Sequence, residues 1–288
     1  MGTPAAFDAA KPRLFGLAYR MLGSRAEAED VVQEAYIRWH QADETTVRNP
    51  EAWLVTTATR LAIDRLRALK VEREAYVGPW LPEPLIGSPP APPDRHAELA
   101  SDLSIAFLVL LERLAPEERA AFLLHDVFDS GYPEIAALLG KSEAAARQIV
   151  HRARGRVRGE QQRFHATDEA RERLLKTFVE AVEARDEQSL LRLFAPGATW
   201  TADGGGKAAA GPHPIEGAPA IVKLLLGLQK RFSREGVTMR LGTVNGETGL
   251  LISLGDRVAA AVSIVTDGER IESAYAIVNP DKLPTTIQ

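Results

Sequence analysis

The residues best suited to grip a polyanion lie between Tyr132 and Arg158. From Lys141 to Arg158 six cations (Lys141, Arg147, Arg152, Arg154, Arg156 and Arg158) face one acid, Glu143, for a local charge of +5. Glu134–Leu139 reads as a short helix, Gly140 as a sharp turn and Ser142 as the cap of a second helix with Ala146, Ile149, Val150, Ala153 and Val157 on its apolar side. Glu143, Arg147, His151, Arg154 and Arg158 recur along the other side. A helix-turn-helix lays the start of its second helix in the major groove and its flanks on phosphates. That geometry puts Arg147, Gln148 and His151 at base edges, and Lys141, Arg152 and Arg154 on the backbone beside the Ser142 cap. The plainer alternative is a solvated basic helix. A second stripe, Trp53, Thr57, Arg60, Asp64 and Arg67, with Arg65 beside it, combines an aromatic ring with cations, a pairing that suits unpaired bases held by stacking. Asp64 could instead simply salt-bridge Arg60, and Trp53 could belong to a core.

Catalytic groups are sparse. Asp203 and His213, set among glycines and prolines, are the candidates for acid-base work, but the alternating strands that follow offer them no second carboxylate or histidine. Asp203-Gly204-Gly205-Gly206-Lys207 lacks the spacing of a phosphate loop. There is no cysteine, which excludes disulfides, thiolate metal sites and cysteine nucleophiles and fits a reducing cytoplasm.

Helices must position the two basic stripes. Leu14, Leu17, Ala18 and Met21 form one apolar stripe closed by Gly23. Ser24 to Glu27 is a capping box ahead of Ala28, Val31, Val32, Ala35, Tyr36 and Trp39, and Asn49-Pro50 starts a third helix running to about Lys70. Leu103, Ala106, Phe107, Leu110 and Leu114 begin a second helical module, and Pro116-Glu117-Glu118 opens its next helix. Between the modules, seven prolines within residues 77–95 exclude regular structure, yet Trp80 and Leu81 are costly to leave in water, so that segment is expected to dock. After residue 168 the pattern changes: helices at Arg171–Ala184, Gln188–Phe194 and Pro219–Phe232, a strand at Ala198–Ala202, then alternating runs at Val237–Val244, Leu250–Leu254, Val258–Val265 and Ile271–Val278 separated by glycine turns. This predicts an α+β unit with an antiparallel sheet curled around helices. The domain bounds follow: residues 1–76, a proline-rich linker 77–100, 101–165 and 166–288.

At 288 residues, 45% hydrophobic and 26% charged, the chain has the composition of a folded multi-domain protein. Its net charge of −4 alone argues against nucleic acid, so any basic surface must be local. The absence of a cationic leader and of a long apolar run predicts a cytosolic protein without a membrane span.

Asp30-Val31-Val32-Gln33-Glu34-Ala35-Tyr36-Ile37-Arg38-Trp39, followed by Asn49-Pro50-Glu51-Ala52-Trp53-Leu54 and Asp64-Arg65-Leu66-Arg67, resembles region 2 of the sigma-70 family of transcription initiation factors. Leu114-Ala115-Pro116-Glu117-Glu118-Arg119 with the Tyr132–Arg158 unit resembles their region 4. Lacking regions 1 and 3, the pattern resembles the extracytoplasmic-function group. Trp80-Leu81-Pro82-Glu83-Pro84, Asp203-Gly204-Gly205-Gly206-Lys207 and Asn279-Pro280-Asp281-Lys282-Leu283 resemble the SigJ-type subgroup, in which a SnoaL-like domain of the nuclear-transport-factor-like fold follows region 4. The recognition helix departs from the family's commoner wording at Ser142–Gln148.

The resemblance implies two all-α domains, a region 2 bundle and a region 4 helix-turn-helix, followed by an α+β SnoaL-like cone. It implies a non-catalytic factor without cofactor or metal whose partners are core RNA polymerase and promoter DNA. Asp30, Gln33, Glu34, Arg38 and Trp39 would meet the β′ clamp helices and region 4 the β flap. The third helix would melt and read the −10 element, the helix-turn-helix would read the −35 element, and the linker would run toward the RNA exit path. The cone would regulate in cis through Trp80, Leu81, Pro82 and the Asp203–Lys207 loop. Asn279 to Leu283 would latch it, with Asp281 and Lys282 as a charge pair and Leu283 as a plug, or else merely cover the sheet edge. The cone also leaves room for an unidentified small ligand. Rival readings are a helix-turn-helix regulator with a ligand-binding domain and a pocket enzyme.

Overall fold

The computed structural model of the chain describes residues 3–43, 47–87, 103–161, 166–232 and 236–284. Helix α1 (Pro4–Leu22) starts on a proline and ends where Gly23 takes φ 66°, a left-handed turn that costs glycine nothing. Ser24 caps α2 (Arg25–Gln41), and Asn49 Oδ1 accepts from Ala52 N at 3.1 Å to start α3 (Pro50–Glu74), which outruns its expected end near Lys70. Leu14, Leu17, Met21, Ala28, Ala35, Trp39, Leu54, Ala58 and Ala62 are wholly buried, so the three predicted stripes meet in one core. Helices α4 (Ile105–Leu111), α5 (Pro116–Asp126), α6 (Tyr132–Leu139) and α7 (Glu143–Gln161) follow.

The chain divides into two compact units whose borders differ from the four segments expected above. The first joins residues 3–74 to residues 108–159, because α5 packs on α1 and α3. Buried charge reinforces that seam. Arg119, 1% exposed, donates to Met21 O at 2.7 Å and to Glu112 Oε1 at 2.8 Å, while Arg73 binds Glu112 and donates to Leu22 O at 2.7 Å. Desolvation holds the Arg73 pKa below its usual value. Arg13 adds a bond to Phe128 O at 2.9 Å, with its guanidinium over the Phe128 ring.

The second unit contains residues 75–87, Ser104–Phe107 and the described chain beyond residue 165. Its elements are α8 (Asp168–Ala184), α9 (Glu187–Leu193), β1 (Phe194–Asp203), β2 (Ile215–Glu216), α10 (Ala218–Phe232), β3 (Val237–Val244), β4 (Glu247–Leu254), β5 (Arg257–Thr266), β6 (Ile271–Ile277) and a 3-10 turn at Pro280–Lys282. The six strands run in the order β2-β1-β6-β5-β4-β3. The sheet is mixed, a correction to the antiparallel expectation: β1 runs parallel to β6 because the chain crosses the whole sheet before returning beside β1. Asn245 (φ 54°) and Gly246 (φ 85°) make the two-residue hairpin that the Asn-Gly pair predicts.

The helices fill the concave face. Leu174, Leu175, Phe178, Leu190, Ile221 and Val222 pack against Trp200, Leu250, Val262 and Ile264. Phe178 stacks on Trp200 with centroids 6.4 Å apart. One void in this core is about 10 Å³ and is lined by apolar side chains, Phe178 and Trp200 among them. That void is smaller than an organic ligand.

Candidate nucleic-acid interface and linker clasp

Two features of the sequence make the helix-turn-helix. Glu134 Oε2 accepts from Gly131 N at 3.1 Å to start α6, and Gly140 at φ 64° reverses the chain behind it. Ser142 Oγ then accepts from Ala145 N at 3.2 Å, opening α7. Ala146, Val150, Ala153 and Val157 are buried. Lys141, Ser142, Arg147, Gln148, His151 and Arg152 are exposed, as the periodicity requires. The Arg158 side chain lies outside the described residues. Tyr132, Glu143, Ala144, Arg147, Gln148, His151, Arg152 and Arg154 line one open depression of about 780 Å³.

Most of these cations already carry an acid. Arg147 binds Glu143 at 2.7 Å, Lys141 reaches Glu117 at 3.2 Å, and Arg156 and Arg152 both face Glu118. The Arg147–Glu143 and Lys141–Glu117 pairs are solvated and weak enough to exchange for phosphate, whereas Glu118 is mostly buried. Arg154 differs. It donates twice from Nε to Asp126, at 2.8 Å each, and again from a terminal nitrogen, which raises its pKa and makes it a brace of the motif.

On α3, Arg60, Asp64 and Arg67 are exposed, with Arg67 bound to Asp64 at 3.1 Å and to Glu117 at 2.9 Å. The expected Arg60–Asp64 alternative is replaced by this Asp64–Arg67 pair. Arg65 points elsewhere: it holds Glu27 through two hydrogen bonds and Glu72 at 3.2 Å, and the Glu27 bonds push its pKa up. Its observed work is joining α3 to α2. Trp53 is half-buried against Trp39, centroids 5.4 Å apart.

Trp39 is 0% exposed and donates from Nε1 to Thr3 O at 3.0 Å. Placing it on a partner-facing surface is therefore corrected: it sits on the stripe that faces α1. Asp30, Gln33 and Arg38 remain exposed and Glu34 half-exposed, with Arg38 and Glu34 paired at 2.9 Å beside the exposed Ile37.

The three short motifs of the second unit converge on one carboxylate. Asp203, 0% exposed, accepts from Tyr76 Oη at 2.6 Å, Leu81 N at 2.8 Å and Lys282 Nζ at 2.7 Å. Lys282 also donates to Leu81 O at 2.6 Å and lies over the rings of Tyr76 and Trp80, at 5.0 and 4.2 Å. Asn279 Nδ2 donates to Tyr76 Oη at 2.9 Å, and Asn279 Oδ1 accepts from Asp281 N at the start of the Pro280–Lys282 turn. Burial and the Asp203 bond push the Tyr76 phenol well above its usual pKa. The glycines allow this closeness: a Cβ on Gly205 would lie 2.2 Å from Asn279 Nδ2, one on Gly204 2.4 Å from Ala208 O, and one on Gly206 3.2 Å from Val77.

Two expected roles change here. Asp281 does not pair with Lys282 but with Lys207, because Lys282 turns inward to Asp203. Leu283 is only half-buried, so it plugs nothing, whereas Leu81, Pro82 and Pro84 are buried. Asp203 accepts from three donors, and His213 is exposed on its turn. Tyr76 and Asn245 were missed as site residues. Asn245 Oδ1 accepts from Leu85 N and Asn245 N donates to Leu85 O, both at 2.8 Å, while Gly87 N donates to Thr243 O and Ile86 bridges Val244. The linker thus adds a short strand to the β3 edge.

A three-helix bundle followed by a basic helix-turn-helix defines a two-module, promoter-reading class of protein. Residues 6–71 match Sigma-70 region 2 and residues 104–157 match Sigma-70, region 4. The chain is 37% identical over 290 residues to the ECF RNA polymerase sigma factor SigJ of Mycobacterium tuberculosis, an alignment spanning 96% of this chain and 91% of that one. To the same organism's sigma factor SigI it is 28% identical over 282 residues, covering 97% and 94%. The crystal structure of M. tuberculosis SigJ aligns with a TM-score of 0.76 at 36% identity, covering 97% of this chain and 98% of that one. The chain belongs to the extracytoplasmic-function sigma factors of the sigma-70 family, and its function is promoter-directed transcription initiation. Its second unit has the SnoaL-like fold. Among the described residues no helix is long and apolar enough to cross a membrane.

Proposed function

We propose a division of labour for this sigma factor. Asp30, Gln33, Glu34 and Arg38 on α2 meet the β′ clamp helices of core RNA polymerase, and the region 4 module meets the β flap. Arg60, Asp64 and Arg67 on α3, with the exposed edge of Trp53, contact the −10 element. On α7, Arg147, Gln148 and His151 face −35 bases, with Lys141, Ser142 and Arg152 on phosphates. The exposure of these side chains and their replaceable ion pairs support the assignment.

The SnoaL-like unit acts in cis by holding the linker, and one observation carries this: the Asp203 carboxylate binds the linker through Tyr76 and Leu81 and the terminal segment through Lys282. A linker held at these points is not free to run through polymerase, so docking restrains initiation. In run-off transcription with core polymerase over a promoter panel, Asp203→Asn should raise transcript yield without weakening polymerase binding. Unchanged or reduced yield with intact polymerase binding would refute the restraint.

A further inference from the structure

Tyr132 opens α6 and lies on the floor of the depression in front of α7, although it belongs to the other helix of the motif. Its ring carries the Arg147 guanidinium, whose central carbon is 4.8 Å from the ring centroid. The ring also meets His125, with centroids 4.4 Å apart and planes tilted by 56°, and His125 Nδ1 is itself 3.1 Å from Ser130 O. The Tyr132 hydroxyl is also among the groups that favour the charged form of Arg154, after the dominant Asp126 bond.

A guanidinium carried over an aromatic ring is held by its charge and can keep its edge donors for the bidentate contact to guanine O6 and N7. The other contact on Arg147, the exposed Glu143 carboxylate at 2.7 Å, takes up a terminal nitrogen and must be released when a base binds. The ring and the carboxylate thus act differently: one orients the side chain and can persist on DNA, the other competes with DNA.

We propose that Tyr132 is a positioning residue for promoter recognition, pre-ordering Arg147 so that its donors meet one guanine of the −35 element. The proposal rests on the reading of α7 as the −35 contact. Without the ring, a long side chain must be ordered at the moment of binding, which weakens the preference at that base about three- to tenfold and leaves the other positions unchanged.

The test uses the full chain assembled with core polymerase and a promoter library randomised across the −35 segment, read by sequencing the transcripts. Arg147→Ala should erase the preference at one position. Tyr132→Leu should weaken the preference at that same position three- to tenfold, while Tyr132→Phe, which keeps the ring, should retain it. If Tyr132→Leu leaves the position untouched, or flattens every position alike as a collapsed helix-turn-helix would, the positioning role is overturned. If Arg147→Ala itself changes no position, the base-contact reading of Arg147 falls first, and the role of Tyr132 falls with it.

Discussion

Replacing Asp203 by Ala removes the acceptor for three donors at once. The largest consequence falls on Lys282, whose side chain is 12% exposed and which would lose its 2.7 Å bond to that carboxylate. Stranding one partner of a buried ion pair costs about 3–5 kcal/mol. Lys282 keeps the Leu81 carbonyl and the two aromatic faces, which places the cost at the lower end, about 3 kcal/mol. At 1.4 kcal/mol per factor of ten, the linker should open roughly a hundredfold more often. Hydrogen exchange by mass spectrometry reads this directly, because the Leu81 amide is one of the donors Asp203 holds. Exchange in residues 76–87 should accelerate about a hundredfold while the β5 amides stay protected. Lys282→Met alone should act similarly by stranding the carboxylate. The Asp203→Ala, Lys282→Met double variant should lose less than the sum of the singles, since neither charge remains unpaired. Equal acceleration in residues 76–87 and β5 would mean that the unit unfolds as a whole, and no acceleration would mean that the carboxylate does not hold the linker. Either result refutes the clasp.

Gly205→Ala should free the same segment by another route. Its Cβ would collide with Asn279 at a backbone φ of 56°, a strain and overpacking cost of about 2–4 kcal/mol, and limited proteolysis should then cut within residues 76–87. Trp200→Ala should destabilise the sheet unit by about 3–5 kcal/mol in chemical denaturation, since the present void of about 10 Å³ shows how completely the rings fill it; a loss under 1 kcal/mol would contradict that packing. Asp267 accepts from Arg270 N and Glu269 N, which hold its carboxyl below the usual range. Its contribution to stability is complete above the ordinary aspartate pKa of about 3.9 and is lost as pH falls through the depressed value, so Asp267→Asn should remove part of the acid limb in a pH series of thermal melts.

Local chemistry made much of this legible in the sequence. Ser24, Asn49, Gly140, Ser142 and Asn245-Gly246 act at short range, and each starts or turns the chain where expected. Strand β3 falls on its predicted bounds because alternation and flanking turns agree there. Failures came where distant partners decide. Strand β2, two residues long, has no periodicity to read, and the parallel β1–β6 pairing depends on a crossover that no local signal marks. Trp39, Arg65 and Arg154 look like surface chemistry in one dimension, but Thr3 O, Glu27 and Asp126 claim them in three. Tyr76 was passed over because its partners lie 127 and 203 positions away.

The linker docking has a mechanical corollary. Helix α3 ends at Glu74 and the docked segment begins at Tyr76, so Ala75 alone separates a promoter-reading helix from the clasp. With the clasp open, residues 76–87 would become free chain length behind α3. On the proposed reading, Asp203 works as a ratchet pawl on chain length: one buried carboxylate would decide whether that segment is held or released as slack.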